Sequence, residues 1–312
     1  MKGRYYFAKR TRDDVQRGID YFQQATILDP HFALAYARMA EAYNQLPSYP
    51  YRSPGESFPR AIAAAKRALE IDPALAEAHT ALANSLAVYE WNWNEAEREF
   101  KRALDLDPNS AAAHFRYGQL YLTPMGRPDE AIAEVKRALE LEPLDLTMGA
   151  VLSGVYVAAR QYDQAVDQAQ RTLDLEPTFP LGRWMLGQAY ISKGMYGEAS
   201  GLSDKSLQND PTNQSMLRNA GYVFARTGRR AEAEDIIRRF KEIARTQYVM
   251  SSYVASIYAA LGDKDKAFAE LDKAAAEHDW NLHRLNVDPF IDPLRDDPRF
   301  AALVKKVGLE RR

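Results

Sequence analysis

The sequence contains no cysteine, which excludes disulfides, thiolate metal sites and thiol nucleophiles. It also has no excess of charge. The sequence has 41 basic and 43 acidic side chains, and the resulting net charge of −2 gives no general attraction to nucleic acid or anionic lipid. The longest apolar runs are a few residues, too short to span a membrane. We expect a cytoplasmic protein, although a cysteine-free chain suits the periplasm as well.

What the sequence does contain is a period of 34 or 35 residues. Seven alanines recur at steps of 35, 35, 34, 34, 34 and 34 residues: Ala61, Ala96, Ala131, Ala165, Ala199, Ala233 and Ala267. Six pairs of an acidic residue and proline punctuate the same stretch: Asp29-Pro30, Asp72-Pro73, Asp107-Pro108, Glu142-Pro143, Glu176-Pro177 and Asp210-Pro211. Self-similarity at this period is the signature of stacked structural units.

Each period predicts two helices. Apolar residues of 111–122 follow the spacing of a helix face, and 129–141 forms a second helix that closes before Pro143. Because proline cannot continue a helix, each acidic-Pro pair ends one helix and begins the turn to the next. Small residues in phase, such as Gly118 and Gly187, indicate where two helix backbones approach closely. One hairpin cannot bury both of its apolar faces, so neighbours must stack.

The pattern resembles the tetratricopeptide repeat, W-x2-L-G-x2-Y…A-x3-F…P, since one period reads Gly118-x2-Tyr121…Ala131-x3-Val135…Pro143. The resemblance implies an all-α, right-handed superhelix (an α-solenoid) of about eight repeats. Units start near residues 1, 33, 76, 111, 146, 180, 214 and 248 of an array over 1–281, and 282–312 is a C-terminal capping segment. Residues 47–56 form an insertion of about nine residues, and Arg245 stands where one repeat lacks its proline.

Three local strings resemble a narrower group, the C-terminal repeat regions of multidomain bacterial signalling proteins. These strings are residues 2–11 (KGRYYFAKRT), residues 91–103 (WNWNEAEREFKRA) and residues 288–300 (DPFIDPLRDDPRF). In that group the repeats follow a winged-helix, class III adenylate cyclase or serine/threonine kinase domain. The resemblance implies that this chain is a sensing or partner-binding portion, which acts on an effector domain in cis or in trans.

Catalytic signatures are missing. The motifs H-E-x-x-H, G-x-G-x-x-G, G-x-x-x-x-G-K-[ST] and G-x-S-x-G do not occur. His79 and His114 stand at the same position of adjacent repeats, where stacking separates equivalent residues by roughly 10 Å, too far for one metal ion. We therefore expect a protein that is not an enzyme and holds no metal or cofactor.

The first helices of such a superhelix line its concave face, and the resemblance indicates which of their positions point into the groove. The predicted groove residues are Glu41, Asn44, Thr80, Asn84, Phe115, Gln119, Trp184, Gln188, Arg218, Tyr222 and Arg226. Amides and aromatic rings over an apolar floor suit an extended or helical peptide. The Lys/Asn/Arg clamp of the chaperone-binding members is absent, which argues against chaperone tails as ligands.

These patterns predict a non-catalytic scaffold that binds a protein or peptide along the concave groove. RNA-reading helical repeats of similar length need a basic surface, which the near-neutral charge does not provide, so no direct contact with nucleic acid is expected. One alternative is a sensor that binds a small molecule in a closed superhelix and passes the change to an effector, which predicts a deep pocket. Another is a homo-oligomeric scaffold that uses Tyr49 and Tyr51.

Overall fold

The computed structural model describes residues 2–8, 12–50 and 52–310, and every regular element within them is helical. The α-helices of these ranges are α1 (Lys2–Ala8), α2 (Arg12–Leu28), α3 (Ala33–Gln45), α4 (Pro54–Ile71), α5 (Ala76–Val88), α6 (Trp93–Leu106), α7 (Ala111–Tyr117), α8 (Pro128–Leu141), α9 (Leu146–Ala158), α10 (Tyr162–Leu175), α11 (Pro180–Lys193), α12 (Tyr196–Asn209), α13 (Gln214–Arg226), α14 (Arg230–Ile243), α15 (Ser251–Ala260), α16 (Lys264–Ala276) and α17 (Pro298–Lys306). Shorter helical turns cover Leu46–Ser48, Gly118–Leu122, Trp280–Arg284 and Pro289–Leu294. Lys9, Arg10, Thr11 and Tyr51, which the sequence patterns singled out, lie outside the described residues.

The helices pack in consecutive pairs, α1 with α2, α3 with α4, and so on to α15 with α16. We call these pairs repeats 1 to 8. First helices of neighbouring repeats also contact each other, as α3 does with α5 and α13 with α15. The predicted all-α superhelix of about eight repeats is confirmed. None of the helices in the described ranges combines the length and the apolar character needed to cross a bilayer.

The acidic-Pro pairs end helices by two mechanisms. Proline stops the helix, and the preceding aspartate folds the chain into a turn. Asp72, Asp107 and Asp210 each accept, through Oδ1, the backbone N–H two residues further on, at 3.0, 3.1 and 3.0 Å. Where the proline is replaced by Arg245, α14 ends at Ile243 and the connection runs on to α15 at Ser251.

The in-phase small residues lie where helices touch. All seven alanines of the periodic series have no exposed surface. At Gly118 an added Cβ would lie 2.8 Å from Val135 Cγ2, and at Gly221 it would lie 2.5 Å from Ile257 Cδ1. At Gly118 the backbone of the next helix also lies close, since the Ala131 carbonyl oxygen would be 2.9 Å from that Cβ, whereas at Gly221 isoleucine side chains fill the space.

The insertion lengthens the second helix of repeat 2. The turn Leu46–Ser48 follows α3, and α4 starts early, at Pro54, behind a capping box in which Ser53 and Glu56 bond each other. Arg52 Nη2 donates to Gln16 Oε1 of repeat 1 at 2.8 Å. The extra residues thus join the first two repeats.

Candidate functional site

Residues 279–310, which we call the return segment, run back over the first helices instead of stacking only on the last repeat. The turn Trp280–Arg284 contacts α5 of repeat 3 as well as Leu46–Ser48, and the turn Pro289–Leu294 contacts α15 of repeat 8. First helices line the concave side of such an array. The predicted groove therefore already holds a peptide segment, which belongs to the chain itself.

Repeat 3 contacts His278, just before the return segment, and the end of that segment. His278 Nδ1 lies 2.7 Å from the Tyr89 carbonyl oxygen, and its ring stacks on Trp91 with centroids 4.5 Å apart. Trp93 Nε1 donates to the Val307 carbonyl oxygen at 2.7 Å. Repeat 3 is thereby joined to the end of repeat 8, and the superhelix is closed by contacts far apart in sequence.

Arg218, on α13, is the buried centre of the contact. Its side chain is 1 % exposed, Nη2 donates to Asp288 Oδ2 at 2.6 Å, and Nε donates to Ser256 Oγ at 3.1 Å. The guanidinium carbon lies 4.2 Å from the ring centroid of Phe290 and 5.0 Å from that of Tyr253. A guanidinium can bind a carboxylate at its edge and aromatic rings on its faces, so this side chain holds both groups of the return segment.

The ionisation of this centre follows from its charges. Burial opposes ionisation of Asp288, but the guanidiniums of Arg218 and Arg284 outweigh it and hold the pKa of this carboxyl below its ordinary value. Burial raises the pKa of Tyr222 to about 12, so its phenol stays protonated at neutral pH. The Tyr222 ring packs on Phe290 with centroids 4.5 Å apart. The centre is a buried ion pair bordered by aromatic rings.

Contacts on either side of this centre are polar. Asp279, at the start of the return segment, accepts the backbone N–H of Ser252 on α15 at 3.0 Å. Further on, Asp292 pairs with Arg160 of repeat 5 at 2.8 Å, and both side chains are more than one third exposed. Such exposed pairs contribute little to stability, so the Arg218 centre and the apolar side chains hold the segment.

The predicted groove residues fall into two groups. Arg218 and Tyr222, both on α13, contact the return segment. The others do not form one open surface: Asn44, Thr80, Asn84, Phe115, Trp184 and Gln188 are buried, Glu41 and Gln119 are half-buried, and Arg226 is exposed. Asn84 Oδ1 and Trp184 Nε1 are buried without a hydrogen-bond partner among the described residues.

Several of the remaining polar residues are engaged within the array. Asn44 Nδ2 donates to the Ala81 carbonyl oxygen at 2.8 Å, and Glu41 pairs with Arg38 at 2.9 Å. Gln119 Oε1 accepts from Arg116 at 3.0 Å. These bonds orient the side chains along the first helices.

Sequence reasoning missed the partners that the chain supplies to Arg218. Ser256, Asp288 and Phe290 complete its surroundings, and Asp288 and Phe290 stand 70 or more residues away. The string Asp288-Pro289-Phe290 stands out in the sequence, but the repeat pattern assigns it to the C-terminal capping segment and does not relate it to Arg218. Only the folded return segment brings it to α13.

The two in-phase histidines make the same contacts in successive repeats. His79 Nδ1 lies 2.6 Å from Glu99 Oε2 and its Nε2 lies 3.0 Å from the Pro73 carbonyl oxygen. His114 repeats the arrangement with Glu134 at 2.5 Å and Pro108 at 3.0 Å. Each ring joins the two helices of its repeat to the turn before them. Within the described ranges no cluster of three or more candidate metal ligands occurs.

The sequence comparisons identify the repeat. Two tetratricopeptide-repeat family models match the chain, one over residues 87–153 and the other over residues 155–214. No protein of curated function matches the sequence.

Solved structures share the architecture over most of the chain. A human IFIT1 dimer with m7Gppp-AAAA superposes with a TM-score of 0.65 at 15 % identity, over 88 % of this chain and 70 % of that one. A tetratricopeptide-repeat protein of Parabacteroides merdae superposes with a TM-score of 0.55 at 14 % identity, over 87 % and 98 %. A thermophilic protein of the same kind from Thermus thermophilus gives 0.50 at 21 % identity, over 61 % and 95 %. At these identities the likeness shows the fold alone. The predicted tetratricopeptide repeats are thus confirmed, and the chain has the all-α fold of a tetratricopeptide-repeat superhelix.

Proposed function

We propose that the chain is a non-catalytic scaffold that binds a protein or peptide segment along its concave face. One observation carries the proposal: this face already binds a peptide segment, the chain's own residues 279–294. Arg218 and Tyr222, two of the residues predicted for ligand binding, make the central contacts.

The chemistry of that contact suits peptide recognition in general. The bound segment consists of short helical turns, and the repeats hold it through a guanidinium, a backbone N–H and aromatic rings. Apolar contact supplies affinity, while polar groups fix the register of the bound backbone. Of the other predicted groove residues, the half-buried Glu41 and Gln119 and the exposed Arg226 remain accessible to a partner, whereas Asn44, Thr80, Asn84, Phe115, Trp184 and Gln188 are buried.

The resemblance to the repeat regions of bacterial signalling proteins supports a cytoplasmic role in such a pathway. The IFIT1 structure contains m7Gppp-AAAA, but the net charge of −2 gives this chain no general attraction for phosphate. We therefore propose that the ligand is a protein segment, and RNA binding is measured as an alternative in the experiment below.

The experiment is a peptide-display selection on the immobilised full chain, with a short single-stranded RNA pool as a parallel arm. Peptides recovered on the wild type are then tested on a Glu41→Lys/Gln119→Lys variant, which changes two half-buried groove residues. The matched control is Glu140→Lys, an exposed change on the second helix α8. We expect the groove variant to lose binding and the control to keep it. Recovery of no specific peptide, or recovery of RNA alone, would refute the proposal.

A second candidate, the small-molecule sensor, is favoured by the closure of the superhelix. Arg284 lies on the turn that contacts α5, and burial lowers the pKa of its guanidinium although the Asp288 carboxylate opposes this shift. Burial lowers the pKa of its neighbour His283 to about 3, so this ring is neutral, and its buried Nε2 has no hydrogen-bond partner within the described ranges. Thermal stabilisation by small anionic metabolites, with none by peptides, would favour this candidate over the first.

A further inference from the structure

We propose that the partner segment carries an aspartate followed two residues later by an aromatic residue, and that it binds Arg218 and Tyr222 in place of the return segment. This inference rests on the proposed function and names the chemistry of the ligand at that site. The chain's own Asp288-Pro289-Phe290 then occupies the site until a partner replaces it.

The geometry of the bound tripeptide defines what the site reads. Asp288 Oδ1 accepts the backbone N–H of Phe290 at 3.0 Å, which folds the three residues into a tight turn. Pro289 fixes the backbone between them. The carboxylate and the ring thus face the same guanidinium, at 2.6 Å from Arg218 Nη2 and 4.2 Å from its central carbon. An acidic residue and an aromatic residue at this spacing are the two groups bound.

The burial of Arg218 makes the carboxylate a requirement for any occupant. A guanidinium that is 1 % exposed cannot be left without an anion, because its lost hydration would have no compensation. Ser256, its other hydrogen-bond partner, is neutral. A segment that replaces residues 288–290 must therefore bring a negative charge to the same place. Tyr222 and the face of the guanidinium then select an aromatic ring beside it.

Residues 288–294 are the part of the return segment that a partner would replace, and the partner would also have to cover Ile291 and Leu294, which are buried there. Asp292 and Asp296, after the Arg218 contact, are exposed, and Asp292 is tied to repeat 5 by a half-exposed ion pair. Beyond them α17 has its own anchors: Phe300 and Leu303 are buried, and Val307 accepts the hydrogen bond of Trp93. Release of residues 288–294 therefore leaves α17 in place. Because the return segment is tethered to the array, it competes with a partner for Arg218 and Tyr222 at a high effective concentration. The unaltered chain therefore binds a partner weakly.

The test uses the full chain and a fluorescent peptide of sequence DPFIDPLR, copied from residues 288–295. Two control peptides carry asparagine for the first aspartate or alanine for the phenylalanine. The chain variant is Phe290→Ala, which weakens the internal occupant and leaves Arg218 and Tyr222 intact. Its matched control is Phe300→Ala, which truncates another buried phenylalanine of the return segment, on α17.

We expect Phe290→Ala to bind the peptide about tenfold more tightly than the wild type and Phe300→Ala, since the tethered competitor is weakened. Both control peptides should bind about tenfold more weakly than DPFIDPLR. If Phe290→Ala does not fold, Phe290→Leu replaces it, because leucine keeps apolar volume in the core while removing the ring that packs on Arg218 and Tyr222. It should still raise the affinity severalfold.

Equal affinity of the wild type and the loosened variant, or of the aspartate and asparagine peptides, would overturn the inference. So would a dimer of Phe290→Ala in sedimentation, because the occupant would then be the return segment of a second copy. Peptides that bind the Glu41 region but ignore these changes would leave the proposed function standing while this inference fails. Absence of any peptide binding would remove the proposed function itself.

Discussion

Replacing Asp288 by asparagine tests whether the buried ion pair governs the return segment. The substitution keeps the shape of the side chain and the oxygen that accepts the Phe290 N–H, while an amide NH2 replaces Oδ2, so Arg218 loses both the opposite charge and this hydrogen-bond acceptor. That guanidinium then retains Ser256 as its hydrogen-bond acceptor. Removing one partner of a buried pair leaves an uncompensated charge and costs about 3–5 kcal/mol. We expect a loss of this size in the stability of the return segment.

The assay is hydrogen exchange on the full chain at neutral pH, combined with urea unfolding followed by tryptophan fluorescence. Local exchange is needed because a repeat array does not have to unfold as one unit. Faster exchange should be concentrated in residues 279–294 and in α13 and α15, where the pair is made. Glu140→Gln on the exposed face of α8 serves as the surface control and should change nothing measurable.

A double variant separates the charge from the packing. Arg218→Met with Asp288→Leu removes both charges and keeps apolar volume, and such replacements are often neutral or stabilising. The double variant should therefore recover most of what Asp288→Asn loses. A loss below about 1 kcal/mol in Asp288→Asn would refute the reasoning, because the pair would then be hydrated or dispensable.

Three further predictions concern the repeats. Burial of the His79 imidazole opposes protonation, but the Glu99 carboxylate and the Pro73 carbonyl outweigh burial and raise the pKa of the ring. The stability that the protonated ring adds is present below the unfolded pKa of about 6.5 and is lost as pH rises through the higher folded pKa. His79→Gln should abolish this pH dependence in thermal melts. Gly221→Ala should cost about 1–3 kcal/mol in urea unfolding, because the new Cβ would lie 2.5 Å from Ile257 Cδ1. Gly201→Ala should instead stabilise by about 0.5–1 kcal/mol, since an added Cβ in the middle of α12 meets no atom within 4 Å, and a destabilised Gly201→Ala would contradict the open space seen there.

The fold could be predicted because its determinants are local and repeated. Ala61 and its six in-phase counterparts each specify one contact between helices, and the structure buries all seven completely. Gly118 likewise marks a close approach whose partner, Val135, lies within the same repeat. Contacts of this kind depend on residues fewer than 40 positions apart, so the period alone indicates them.

The candidate site could be predicted only in part. The repeat position of Arg218 indicates the concave face, but it does not indicate what covers that face. Its partner Asp288 stands 70 residues away in a segment without the repeat period. No repeat spacing links Arg218 to Asp288, and a charged side chain at either position could equally well be exposed to solvent. The sequence therefore predicts the direction of the side chain and leaves its partner open.

Closure by the return segment changes how the array responds to a ligand. In an open array each repeat contacts only its neighbours, so stability is a sum of local terms and a perturbation fades along the row. Here Trp93 of repeat 3 bonds Val307, and Arg218 of repeat 7 bonds Asp288 of the same segment. Displacement of residues 288–294 therefore removes contacts of repeats 7 and 8, while the Trp93–Val307 bond keeps α17 on repeat 3. A partner that binds at Arg218 would thus alter contacts within repeats 7 and 8 and change the residues that connect them to α17 on repeat 3.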